Sequence, residues 1–161
     1  MAVLPIRTAP DPVLKQKAKR VSRVDGAVRQ LISDMIETMH AANGVGLAAP
    51  QVGVSLRLVV IGLPDEAEMV LVNPEVVRRS GERQLEEGCL SVPGYYGEIK
   101  RSASVTVKGR DQDGREVRIK AEGLLAQALE HEIDHLNGVL YVDHAESPDQ
   151  ISRVDTSPPE E

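Results

Sequence analysis

The chain has 161 residues, with 25 acidic and 19 basic side chains giving a formal net charge of −6, and a single cysteine. That length suits one domain with an adequate apolar core, and the lone thiol excludes an internal disulfide. No apolar run approaches the roughly 20 residues that a membrane-spanning helix needs. The acidic balance argues against broad contact with nucleic-acid backbone. With neither Phe nor Trp and only three tyrosines, reading bases by stacking is not supported either. Met1 leads into Ala-Val-Leu-Pro-Ile-Arg rather than a basic stretch and a long apolar run, so no signal peptide is expected and the location is predicted to be reducing and cytoplasmic.

In chain order, Asp11 to Ala18 is predicted to form a short helix, with Asp11 at the N-cap and Pro12 in the first turn. Val28, Leu31, Ile32, Met35, Ile36 and Met39 recur at helical spacing after Asp25, and Asn43-Gly44 should end that second helix. Small residues then cluster in Gly44-Val-Gly-Leu-Ala-Ala-Pro-Gln51, which reads as a helix cap followed by a tight turn and a close approach of backbone. Leu56 to Ile61 and Met69 to Asn73 are short, β-branched and bounded by turn residues, so both are predicted strands. Val105 and Val107 alternate with polar residues, Asp113-Gly114 turns the chain, and Val117 and Ile119 alternate on the return, which describes a β-hairpin. Gly123 to Asn137 carries an apolar helical stripe through Leu124, Leu125, Ala128, Leu129, Ile133 and Leu136, with Gly138 at its end. Val139 to Val142 reads as a final strand or a docked segment. From Glu146 the composition turns polar and proline-bearing, so the expected division is a catalytic domain over 1–145 and a mobile tail over 146–161. Strands outnumber helices without regular βαβ alternation, which places the chain in the α+β class.

The chemistry lies in the last helix. His131-Glu-Ile-Asp-His135 puts two imidazoles four residues apart on one helical face, spaced to hold one divalent ion, with Glu132 able to reach water on that ion. A catalytic ion needs a third ligand. The pattern H-E-x-x-H-x-x-G-x-x-H fails at its last position, which is Tyr141, and the 26 residues after His135 have no room for a second buried helix bearing a glutamate. Cys89, in Glu87-Gly-Cys-Leu-Ser91, is the upstream candidate, although a lone cysteine is otherwise simply buried. Two other readings stand beside this one. The helix would also suit a different metal-dependent amidohydrolase or small peptidase. With His144 as a fourth ligand it would instead suit a structural metal domain, because structural sites are closed by four protein ligands.

Together, Gly44-x-Gly-Leu-Ala-Ala-x-Gln51, Glu87-Gly-Cys-Leu-Ser91 and His131-Glu-x-x-His135 resemble, in order and separation, the three motifs of the peptide deformylases, over roughly residues 3 to 145. The resemblance implies a central metal-binding helix surrounded by antiparallel β-sheets. It implies hydrolytic removal of formyl from N-formylmethionine at the start of new chains. Cys89, His131 and His135 would be the metal ligands, Glu132 the general acid/base on metal-bound water, and Gln51 with the Leu90 N–H the oxyanion donors. Gly44, Val45 and Gly46 would lie along an extended substrate, Glu87 and Gly88 would flank it, and Val45, Leu85, Leu124, Leu125 and Ala128 would line a methionine pocket. Apart from the resemblance, Glu87 and Arg101 read either as a charge pair bracing the Cys89 loop or as two solvated surface charges. The implied cofactor is one divalent ion, usually Fe(II), with Zn(II), Ni(II) or Co(II) able to replace it. The implied partners are nascent N-formylmethionyl peptides and, transiently, the ribosome, for a monomer or weak dimer that neither enters membranes nor reads nucleic acid. Three positions depart from the family's common pattern: Glu130 stands for glutamine, Gln127 for arginine or an apolar residue, and Tyr96 for arginine.

Overall fold

Asp25 starts the first long helix, α1 (Gly26–Ala41), by accepting the Val28 N–H on its side chain at 3.0 Å. The helix stops where Asn43 takes a left-handed conformation (φ 57°) and the Gly44 N–H returns to the Met39 carbonyl. The second helix, α2 (Gly123–Leu136), ends the same way, with Gly138 at φ 75° and the Val139 N–H on the Asp134 carbonyl. A Cβ on Gly138 would also lie 2.5 Å from the Lys15 carbonyl oxygen, so both backbone conformation and space demand glycine there.

The computed structural model describes residues 2–145 and 147–153. Eight strands join the helices: β1 (Gly46–Ala48), β2 (Leu58–Ile61), β3 (Met69–Ser80), β4 (Arg83–Cys89), β5 (Val92–Arg101), β6 (Ser104–Arg110), β7 (Glu116–Glu122) and β8 (Ile151–Arg153). They form two antiparallel sheets, ordered β1-β2-β3-β6-β7 and β4-β5-β8. The class is α+β, as the absence of βαβ alternation predicts.

The larger sheet separates two apolar clusters. Successive side chains of a strand leave on opposite faces, so Leu58 and Val60 join Met35 and Met39 of α1, while Val59 and Ile61 join Leu129, Ile133 and Leu136 of α2. The opposite side of α2 meets the smaller sheet through polar contacts: Arg101 of β5 reaches Asp134, and Glu87 of β4 reaches His131. The helix bearing His131 and His135 is thus held between two sheets, which fixes the rotation of its face.

Several expectations change. The helix expected over 11–18 is only a 3₁₀ turn, Pro12–Lys15, because Gln16 turns extended and Lys19 forms a parallel bridge with Leu56. The strand expected over 56–61 starts at Leu58, and the one expected over 69–73 continues to Ser80. Of the two readings of Val139 to Val142, the docked segment is the one observed. Leu140 and Tyr141 are buried, and Tyr141–His144 is a 3₁₀ turn whose Asp143 carboxylate accepts the Leu140 N–H. Within the segment expected as a mobile tail, residues 151–153 pair with β5 as strand β8, while residues 146 and 154–161 lie outside the described residues. Among the described residues, no helix is long and apolar enough to cross a membrane.

Candidate metal centre

Three segments converge on one point. The α2 helix presents His131 and His135 one turn apart, with their Nε2 atoms 3.2 Å from each other. The β4–β5 hairpin closes over Leu90-Ser91 and delivers the Cys89 sulfur 3.3 Å from His135 Nε2. Cys89 Sγ and the two ring nitrogens all lie within 4.8 Å of one another. The third segment, β1 and the 3₁₀ turn Ala49–Val52, brings Gln51. Its Oε1 accepts the Ala48 N–H at 2.9 Å, and its Nε2 donates to Ser91 Oγ at 3.1 Å and faces the Cys89 sulfur at 3.7 Å. The extended N-terminal segment straps these pieces together, with the Arg7 N–H on the Gln51 carbonyl and the Ala9 N–H on the Ser91 carbonyl. Nothing in the residue pattern of that segment announces this role, since the bonds are main-chain ones.

The electrostatics favour one positive charge at the convergence point. Burial opposes ionisation of Glu87, but hydrogen bonds from His131 and Arg101 outweigh it and hold its pKa down to about 2. The Glu87 carboxylate therefore accepts the His131 Nδ1–H at 2.6 Å, which directs Nε2 inward and would leave its lone pair free for an ion that displaces the second proton. Burial and then the neighbouring His131 push His135 down to about 3. Burial also works against a charge on His131, yet Glu132, Cys89 and Glu87 raise its pKa well above the ordinary value. The pocket thus accommodates a single cation. Two imidazole lone pairs and a sulfur are the donor set that Zn(II) or Fe(II) accepts in a site with one position left open. These residues fit a divalent ion.

Glu132 is the other buried acid. Burial is the first cause of its raised pKa, about 7, and His131 only partly offsets it. Its Oε2 lies 4.0 Å from His131 Nε2, and its Oε1 is buried with no hydrogen-bond partner. Gly46 makes room for it, because a Cβ there would sit 2.6 Å from Glu132 Oε2. The expected close approach of backbone is therefore between β1 and this carboxylate.

A cavity of about 410 Å³ opens onto the cluster and is bordered by Gly44, Val45, Gly46, Leu90, Leu124 and Ala128 together with the polar residues just described. Gly88 also borders it, whereas Leu85 does not. Leu85 precedes Glu87 by two residues on β4, about 7 Å along the strand, and borders a separate depression with Gln84 and Glu98. Leu125 packs into the apolar cluster under α2. His144, the alternative fourth ligand, bonds Asp134 at 2.8 Å and is not in the cluster.

The three departures each find a place. Glu130 is buried and accepts the Ser102 N–H, the Ser102 hydroxyl and Arg79, so a carboxylate here clasps β3 and the end of β5 to α2. Gln127 donates to the Glu86 carbonyl and to Glu87 at the cavity wall. Tyr96 lies on β5 between Gly88 and Ser152. Glu87 and Arg101 form a buried ion pair with two short contacts, rather than two solvated charges.

The chain matches the family model described as polypeptide deformylase over residues 3–150. It is 56% identical over 164 residues to a peptide deformylase from Dehalococcoides mccartyi (strain CBDB1), an alignment covering 100% of this chain and 98% of the relative. A crystal structure of a peptide deformylase from Legionella pneumophila superposes with a TM-score of 0.89 at 50% identity, covering 92% of this chain and 89% of that one. A second, from Synechococcus elongatus in complex with actinonin, gives a TM-score of 0.89 at 47% identity over 93% of this chain and 82% of that one.

Proposed function

The chain belongs to the peptide deformylase family, and from that premise we propose that it hydrolyses the formamide of N-formylmethionyl peptides at the cluster of Cys89, His131 and His135. The observation that carries this reading is the convergence of a sulfur and two imidazole nitrogens at the floor of an open cavity, beside a buried carboxylate with a free oxygen. A divalent ion held there would acidify a water and polarise the formyl oxygen.

The remaining work falls to the chain's own groups. Glu132 takes a proton from the attacking water, for which a carboxylate with a pKa near neutrality is suited, and returns it to the departing amine. Gln51 Nε2 and the Leu90 N–H donate to the oxygen on which negative charge develops. The formyl peptide runs extended beside β1, an outer strand of its sheet, with Gly44 to Leu47 offering main-chain partners. Val45, Leu124 and Ala128 receive the methionine side chain.

Replacing Gln51 by alanine is expected to raise the barrier by on the order of 3 kcal/mol, roughly a hundredfold in kcat. Metal content should not change, because the amide lies beside the sulfur without replacing a ligand. An unchanged kcat would remove Gln51 from the mechanism. The substrate reading is tested by formate or acetate release from formyl-Met-Ala and acetyl-Met-Ala, with an unblocked internal peptide as a third substrate. Strong preference for formyl-Met-Ala is expected. Comparable cleavage of the internal peptide would support a peptidase instead.

A further inference from the structure

Outside the cavity, His144 closes a chain of charges that begins at a ligand. His131 Nδ1 donates to Glu87, and Arg101 bridges Glu87 and Asp134 with its Nη1 2.7 Å from Asp134 Oδ2. The same Asp134 oxygen accepts His144 Nε2 at 2.8 Å. The Arg101 side chain is 3% exposed, Asp134 17% and His144 37%, so the chain runs from the buried ring of His131 to solvent. It contains two carboxylates and one guanidinium. Shared between two anions, Arg101 neutralises only one of them, and the second cation available to Asp134 is His144 when protonated. The other charged groups around His144 are Asp143 on its own turn, which is held by Lys15 at 2.7 Å, and Glu87 of β4 beyond Arg101. No closer anion competes with Asp134 among the described residues.

We propose that His144 is a positioning residue whose positive charge holds Asp134, and so leaves Arg101 free to clamp Glu87 against the ligand His131. The proposal rests on the reading of His131 as a metal ligand. With a cation at position 144, Asp134 is satisfied from outside, and the Arg101–Glu87 fork keeps the His131 ring in its ligating tautomer and orientation. With a neutral group there, Asp134 draws on Arg101 alone, the fork loosens and the bound ion escapes faster. Retention of the metal thus depends on the group at position 144, which lies outside the metal cluster.

The test is the rate at which Zn(II)-loaded full-length protein loses zinc to excess chelator. The wild type is compared with His144→Arg, His144→Gln and His144→Ala in one buffer, which cancels direct proton competition for the ligands, and each is checked for an unaltered circular dichroism spectrum. The arginine variant should hold zinc at least as long as the wild type. The glutamine variant should lose it several-fold faster than both, a smaller effect than the 10- to 100-fold seen when a ligand's direct partner is removed. Alanine should be fastest. Equal rates for arginine and glutamine, or a glutamine variant matching the wild type, would show that the hydrogen bond alone matters and overturn the proposal. A wild type that retains no zinc would instead overturn the ligand assignment on which it rests.

Discussion

The Glu132→Gln protein is expected to turn over about a thousandfold more slowly, within the range general acid–base groups contribute, and yet to be the more stable protein at alkaline pH once demetallated. The carboxylate is buried with an unpartnered oxygen, and folding raises its pKa from 4.5 to about 7. The sign follows from linkage: the unfolded chain ionises this group from about pH 4.5, whereas the folded chain resists until about 7. Stability is therefore lost between those two values, and the penalty persists above them, on the order of 3 kcal/mol. Glutamine carries no such penalty. The metal-free variant should melt several degrees above the metal-free wild type at about pH 8 and level with it at about pH 4. Thermal melts at the two pH values, together with formate release, test both halves. A variant that is slower but no more stable at alkaline pH would place Glu132 in a less desolvated setting than the structure shows.

Gly46→Ala should also cost activity, about a tenth as severely, without touching a single donor atom. The added Cβ would lie 2.6 Å from Glu132 Oε2 and 3.0 Å from its Cδ and Cγ, and Glu132 is almost fully buried, so the carboxylate must swing away from its place beside His131. A displacement of about 1 Å in a catalytic group costs on the order of a hundredfold. The measurement is kcat alongside metal content: a large fall in kcat with full metal occupancy is expected. Loss of the metal as well would mean that β1 supports the ligands and not only the base.

Much of this site is legible in the residues because local rules produced it. Spacing places His131 and His135 on one face of α2, the apolar stripe of Leu129, Ile133 and Leu136 turns that face away from the sheet core, and Gly138 ends the helix where a left-handed residue is needed. The same local logic reveals α1, with Asp25 before it and Asn43-Gly44 after it, and the hairpin around Asp113-Gly114. The β4–β5 hairpin is hidden for the opposite reason. Three of the seven residues of Arg83–Cys89 are charged, and the one buried residue is Glu87, which is held by Arg101 and His131 rather than by apolar packing. Three extra residues, Pro93 to Tyr95, with Gly94 at φ 86°, break the register opposite Cys89, so neither alternation nor a standard turn signal survives. Strand β8 is equally invisible, since Ile-Ser-Arg becomes a strand only by borrowing the edge of β5. The chain from His144 to Glu87 depends on side chains from four separate elements meeting, which no spacing in the chain encodes.

The most direct test of the shared ligand set is X-ray absorption at the metal edge of protein purified anaerobically. One sulfur at about 2.3 Å and two imidazole nitrogens at about 2.0 to 2.1 Å, with the sulfur shell absent in Cys89→Ala, is the result predicted for a zinc-loaded sample. A bound ion with no sulfur neighbour in the wild type would contradict the account.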